Sequence, residues 1–435
     1  MKTKQIIAFL LAAIMAATCA ACGAETGSTA QPSAGAEAAG FTPALDTDAE
    51  LTINVVGGWG NFEALDEVAI NFQEYYPGIE VVYTQIKNGA EDVKNMVASG
   101  SAPDIFCLTW YNPDQTDKTI YTDIAEDLTE AGIDLSNLNS DMLVTGQVDG
   151  EQLLVPVYEQ VYGMIVNYDL LEENGVSVPR TYSELLDACE KLTEAGYEHP
   201  IFLGGSASMR SIINMVMSDI LNSDDPEATA KAMAAGEDSN GYLEAALSRY
   251  DELDAMGYFD HESESFDDTY ESVILRFFEG DIPFVLYSSS QYSGTKKREA
   301  KSEHFTSDPF NYGMEPSPLE DDNAAAYITT LGCLYMGAYK GSENLEYVNE
   351  FLRFALSDEQ MTVLADVKNM GVTTENTGLA RLAGLEGMTE EQKIYPTQID
   401  GYYAIDQALG DGVSSYVPGV TPHEEVLEIF TAGGK

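Results

Sequence analysis

The chain has 435 residues, more than one hydrophobic core usually serves, so two lobes of ordinary domain size are expected. Hydrophobic residues supply 44% of it, ample for burial, while 73 Asp and Glu against 21 Lys and Arg leave a formal charge of −52. A surface of that sign repels phosphate backbones and anionic headgroups, which excludes nucleic acid as a partner.

Lys2 and Lys4 precede an apolar stretch from Ile6 to about Ala17 and then small residues, the layout of a secretory signal over residues 1–21. The stretch is too short to span a bilayer as a mature helix. Its end, CAACG, resembles the lipobox of bacterial lipoproteins. Ala20 and Ala21 precede Cys22, to which the resemblance assigns the lipid, and Cys19 stands where that pattern prefers Leu. Cys19 is the competing acceptor, and the alternative is an ordinary cleaved signal that leaves Cys22 on a free protein. Residues 22–48 then form a lipid-anchored tether, because a segment of Ala, Gly, Ser, Thr and Pro buries too little surface to offset its ordering entropy.

LTINVVGG (51–58) reads as a buried strand, after which Asn61 can cap a helix whose Phe62, Leu65, Val68, Ala69 and Phe72 recur at helical spacing. IEVVYTQI (79–86) is the next strand, EDVKNMVASG (91–100) a helix and APDIFCLT (102–109) a third strand. This alternation implies βαβ units and a parallel sheet, at whose carboxyl edge ligands collect. The chain has only two tryptophans, Trp59 and Trp110, and both fall just past strands on that edge. Two rim loops that each present an indole suit a site that stacks on flat apolar faces. The competing structural reading packs each ring beneath its own loop.

Cys107, Cys189 and Cys333 sit in apolar patterns and read as core thiols, and no CxxC or Cys/His spacing accompanies His199, His261, His304 and His423. No metal and no cofactor are expected. GGWGNFE has Glu63 at the third glycine position of the dinucleotide fingerprint, and Ser293 to Lys296 fits Ser-x-x-Lys without its companion motifs. Neither makes an enzyme.

Residues 148–204 resemble the hallmark stretch of extracellular solute-binding proteins of ABC importers, in the carbohydrate-binding family that includes maltose-binding protein. The matching elements are Asp149-Gly150, Val155-Pro156, Asn167-Tyr168-Asp169, Gly175, Pro179 and Thr181, with Asn-Tyr-Asp in place of the usual Tyr-Asn order. The residues agree with a helix there: Thr181 and Glu184 make a capping box, and Leu185, Leu186, Cys189 and Leu192 form a buried stripe. RFFEGDIPFVLYSSSQYSG (276–294), NYGMEPSP (311–318) and GSENLEYVNEFLRFALSDEQM (341–361) are similar to further segments of the family, the last with Ser357 and Gln360 boxing a helix.

The resemblance implies an α/β, two-lobed periplasmic-binding-protein-like fold with an interlobe ligand cleft. It puts residues 49–157 and 286–333 in the N-terminal lobe and 158–285 and 334–435 in the C-terminal lobe, with crossings near Pro156 to Glu159, Pro283 to Leu286 and Leu331 to Met336. It implies a lipid-anchored receptor on the outer face of the cell membrane, monomeric, that hands a sugar or oligosaccharide to ABC permease subunits. The candidate ligand-binding residues are Trp59 and Asn61, Trp110 and Tyr111, then Tyr158, Glu159 and Tyr162 at the first crossing. Arg210, in a loop GGSASMRS (204–211), and Tyr287, Ser288 and Tyr292 complete the set; for Arg210 a surface ion pair competes, and Tyr402 and Tyr403 of GYYA read as core. Aromatic rings stack on pyranose faces while Asn, Glu and Arg satisfy hydroxyls. A cationic solute, a polyamine or quaternary amine, is the rival cargo, since Trp, Tyr and Glu also build a cation–π cage. A secreted carbohydrate-active hydrolase is the rival of another class.

Overall fold

The computed structural model describes residues 40–108, 118–204, 206–259, 270–319, 328–374 and 393–433. Residues 1–39, with the expected signal and Cys22, lie outside the described residues, as do Trp110 and Tyr111. Pro43–Lys435 forms one compact unit.

The alternation read from the sequence is present: β1 (Leu51–Gly57), α1 (Glu63–Gln73), β2 (Ile79–Gln85), α2 (Ala90–Ala98) and β3 (Ile105–Leu108), with β1 parallel to both β2 and β3. Leu65, Val68, Ala69 and Phe72 form the buried stripe of α1. The cap expected at Asn61 is absent. Phe62 takes the cap position with no side-chain bond, its ring buried against Trp59 and Tyr83.

A hairpin of β4 (Gln147–Val148) and β5 (Glu151–Gln152) turns on Asp149 and Gly150, both at positive φ, and leads into β6 (Val155–Asn167), buried along all 13 residues. Asn167 ends the strand by accepting from Leu170 N and so starts the next helix. There follow α3 (Tyr182–Glu194), β7 (Ile201–Leu203), α4 (Ser206–Leu221), α5 (Tyr242–Ala255), β8 (Phe284–Ser288) and β9 (Tyr312–Glu315). Thr181 caps α3 through Glu184 N, while the Glu184 carboxylate accepts from Arg180 N instead of closing a strict box. The segment 204–211, expected as a loop, supplies the start of α4 from Ser206 onward. The chain ends with β10 (Ile328–Ala338), α6 (Leu345–Ala355), α7 (Asp358–Lys368), β11 (Lys393–Ile394), α8 (Tyr402–Tyr416) and α9 (His423–Gly433).

One sheet runs in the order β2-β1-β3-β10-β6-β8-β7. β6 holds it together by changing partner: it pairs with β10 up to Val161 and with β8 from Tyr162 on. β10 does the same in reverse, pairing with β6 through Thr330–Met336 and with β3 through Tyr335–Ala338. At the expected crossing of Pro283 to Leu286, β8 pairs with β6 and β7 among the described residues. β9 likewise pairs with Met164–Asn167. α6 and α7 pack on α1 in the first half, while α8, α9, Ile394 of β11 and Ile399 join the core of α3, α4 and α5. Ser357 caps α7, but the Gln360 side chain accepts from Asn71 Nδ2 of α1 at 3.0 Å rather than completing a box. Cys107, Cys189 and Cys333 are buried free thiols.

Residues 43–48, read from the sequence as the end of the tether, belong to the compact unit. Ala44 N donates to Glu350 Oε1 at 2.8 Å and Leu45 N to Tyr76 Oη at 3.2 Å. Tyr76 Oη donates to the same carboxylate at 2.6 Å, and Arg353 forks onto both its oxygens. Burial opposes the charge on Glu350, but the Arg353, Tyr76 and Ala44 donors outweigh it and hold the carboxyl below its ordinary pKa. The stabilisation is therefore present above the unfolded carboxyl's pKa and is lost as pH falls through the lower folded value. Replacing Glu350 with Ala is expected to cost about 2 kcal/mol, since it strands a buried tyrosine hydroxyl and a backbone N–H. Thermal denaturation from pH 7 to 3 should show a lower melting temperature at neutral pH and a flatter acid limb; an unchanged profile would refute the clamp.

Candidate functional site

Strand alternation decides which side chains meet where β6 changes partner. Tyr158, Gln160 and Tyr162 share one face of the strand, and Glu159, Val161 and Gly163 share the other. On the first face Trp59, just past β1, lies 5.5 Å from the Tyr158 ring and 5.0 Å from Phe62. Lys368, the last residue of α7, places Nζ 4.8 Å over the indole and 3.2 Å from Glu63. The Tyr158 hydroxyl donates to Leu364 O of α7 at 3.1 Å. Farther along, Gln160 Nε2 donates to Tyr162 Oη at 2.6 Å. The Arg210 guanidinium of α4 sits 5.7 Å above the Tyr162 ring, and its Nη1 donates to Asp406 Oδ1 of α8. Tyr402, one turn before Asp406, is buried beside that pair.

Burial pushes the Tyr162 hydroxyl up to about 12, against the lowering pull of Arg210. Burial also opposes the charge of Arg210, yet Asp406 more than compensates and holds the guanidinium above its ordinary pKa. Tyr402 is raised well above a free phenol, by burial first and by Asp406 next. At the other end, Lys297 and Lys368 bring Glu63 down to about 2 against a smaller effect of burial. Arg210 thus has Asp406 to itself among the described residues, while Lys368 shares Glu63 with Lys297.

Of the residues singled out in the sequence, Trp59 lies against Tyr158 and Arg210 over Tyr162, two pairs on one face of β6. Ser288 stands in register with Tyr162, where its hydroxyl caps the short helix 289–292 in a box with Gln291. Asn61 is exposed on the rim, its carbonyl accepting from Lys368 Nζ at 3.5 Å. Glu159 is buried on the opposite face in register with Gly332, where a Cβ would lie 2.1 Å from Tyr335 Oη. Tyr287 pairs with Gly163 and packs on the Val161 side with Phe277 and Phe278, in a core that also takes Tyr292. The alternation that admits Tyr162 sends Tyr287 and Glu159 to the far face.

Gln160, Asp406 and Lys368 complete the row and were not singled out, and Tyr402, read from the sequence as core, is buried beside them. Period-two alternation from Tyr158 to Tyr162 marks Gln160, and the i, i+4 spacing aligns Tyr402 with Asp406. Lys368 had no local signal, since α7 reaches Trp59 only by packing on α1.

Residues 59–362 match the sequence profile of the family described as bacterial extracellular solute-binding protein. No curated protein sequence matches the chain. Among solved structures, the GacH receptor of Streptomyces glaucescens, studied unliganded and with acarbose, is 15% identical with a TM-score of 0.67, over 88% of this chain and 97% of that one. A sugar transporter protein of Bacillus licheniformis in complex with stachyose is 17% identical with a TM-score of 0.63, over 88% and 98%. Maltose-bound MalE3 of T. maritima is 18% identical with a TM-score of 0.66, over 88% and 98%. At these identities the likeness establishes the two-lobed α/β fold.

In a Trp110→Phe background, where Trp59 alone reports, Lys368→Met should raise the Glu63 pKa by about 1 and change the indole emission, because one counter-cation and the charge over the ring are both removed. An acid fluorescence titration checks this, and overlapping curves for the two proteins would contradict the arrangement.

Proposed function

Because the chain belongs to the family of bacterial extracellular solute-binding proteins, we propose that it binds a neutral sugar or oligosaccharide between two lobes and presents it to the permease subunits of an ABC importer. The observation that carries the choice of cargo is the pairing of charge with aromatic faces. Arg210 lies over Tyr162 and Lys368 over Trp59, so two of the rings a solute would stack against already carry protein cations. A polyamine or quaternary amine would meet repulsion there, and Asp406 and Glu63 are already neutralised by Arg210 and Lys368. Pyranose C–H faces and hydroxyls meet no such penalty. The structurally similar proteins bound to acarbose, stachyose and maltose support the same cargo.

In this reading residues 49–157 and 334–374 form one lobe and 158–319 and 393–433 the other, joined by β6 and β10. The solute is held without covalent change, which sets the protein apart from a hydrolase. Calorimetric titration should give saturable binding with raffinose, stachyose or maltotriose and none with spermidine or choline. Binding of the amines alone would reverse the cargo assignment, and release of reducing ends on incubation would move the protein to the enzymes.

The same reading makes the protein a monomer anchored outside the cell through lipid on Cys22, supported by the apolar leader and small residues before that cysteine. Cys22→Ser should shift the protein from the membrane fraction to the medium; retention on the membrane would contradict the anchor.

A further inference from the structure

Two buried polar groups in the row described above have no hydrogen-bond partner among the described residues: Gln160 Oε1 and Tyr402 Oη. Gln160 is 3% exposed and Tyr402 2% exposed. Such groups destabilise a folded chain, because the water they give up on burial is not replaced. Other buried tyrosines of this fold are satisfied: Tyr158 donates to Leu364 O at 3.1 Å, Tyr250 to Ser208 O at 2.8 Å and Tyr416 to Leu247 O at 3.0 Å. The two exceptions border one cluster, since Gln160 is bonded to Tyr162 and both Tyr162 and Tyr402 lie within the field of Arg210 and Asp406.

We infer that Gln160 and Tyr402 are the residues that select a hydroxyl-bearing solute, taking the hydrogen bonds of one sugar unit seated beside the Arg210–Asp406 pair. The inference rests on the sugar reading above and adds its specificity determinants. Gln160 spends its Nε2 on Tyr162 at 2.6 Å, which fixes Oε1 as an acceptor that needs a donor from the solute. Tyr402 Oη both gives and takes. A sugar hydroxyl meets either demand. An ammonium group meets the first but would sit by Arg210, whose carboxylate is already engaged, and a carboxylate solute would be opposed by Asp406. Buried acceptors built for hydroxyls also reject analogues that lack them.

Tyr402→Phe removes only the unpartnered hydroxyl, so ligand binding and fold stability should move in opposite directions. With the full chain, calorimetric titration of raffinose, stachyose and maltotriose should show at least a tenfold loss of affinity for whichever saccharide binds. The melting temperature without ligand should stay equal or rise. Gln160→Met should weaken the same saccharide, while the far-ultraviolet dichroism of both variants matches the parent. If the parent binds a saccharide and Tyr402→Phe binds it equally well, or if the variant melts several degrees lower with affinity intact, the hydroxyl is structural and this inference fails while the sugar reading survives. If the parent binds none of the three, the sugar reading falls and the inference with it.

Discussion

The structure depends on one strand that belongs to two neighbourhoods. β6 is buried along its whole length, and its backbone passes from β10 to β8 between Val161 and Tyr162 without a break. A backbone with no solvent to turn to must hydrogen-bond at every step, so the change of partner fixes both halves of the sheet to the same residue pair. Thr373 N and its hydroxyl seal the junction onto Val157 O and Pro156 O at 3.1 and 2.7 Å, and Glu159 N donates to Gly371 O. Side chains at that junction are therefore placed by the sheet itself, the most rigid part of the molecule, rather than by loops.

Charge is arranged on two scales. Over the whole chain acids outnumber bases by 73 to 21, a field that keeps the protein soluble and says little about cargo. Within the row from Trp59 to Asp406 the few cations are each matched to a carboxylate and laid against a ring. Local neutrality inside a strongly acidic protein lets a polar, uncharged solute enter at little electrostatic cost. The unpartnered Gln160 and Tyr402 atoms are the complement of that neutrality, stability forgone where a ligand's hydrogen bonds are needed.

Much of the first half was legible. The βαβ alternation, the stripe of α1 and the Thr181 cap are local patterns, and local patterns survive folding. Long-range pairing was not legible. Nothing within Phe284–Ser288 says that its partners are β6 and β7, and nothing in α6 and α7 says that they return to α1. The Glu350 clamp is likewise invisible, since Ala44 and Glu350 lie about three hundred residues apart. Tyr287 stands one step out of phase with Ser288, and one residue in a strand reverses the face.

The central claim is that one solute touches both halves at the β6 junction. Amide hydrogen exchange of the protein with and without saturating saccharide reads both sides of that junction at once. The account predicts added protection at residues 158–162 together with 402–406, on separate peptides and at the same ligand concentration. Protection confined to one of the two segments, or found only elsewhere, would contradict it.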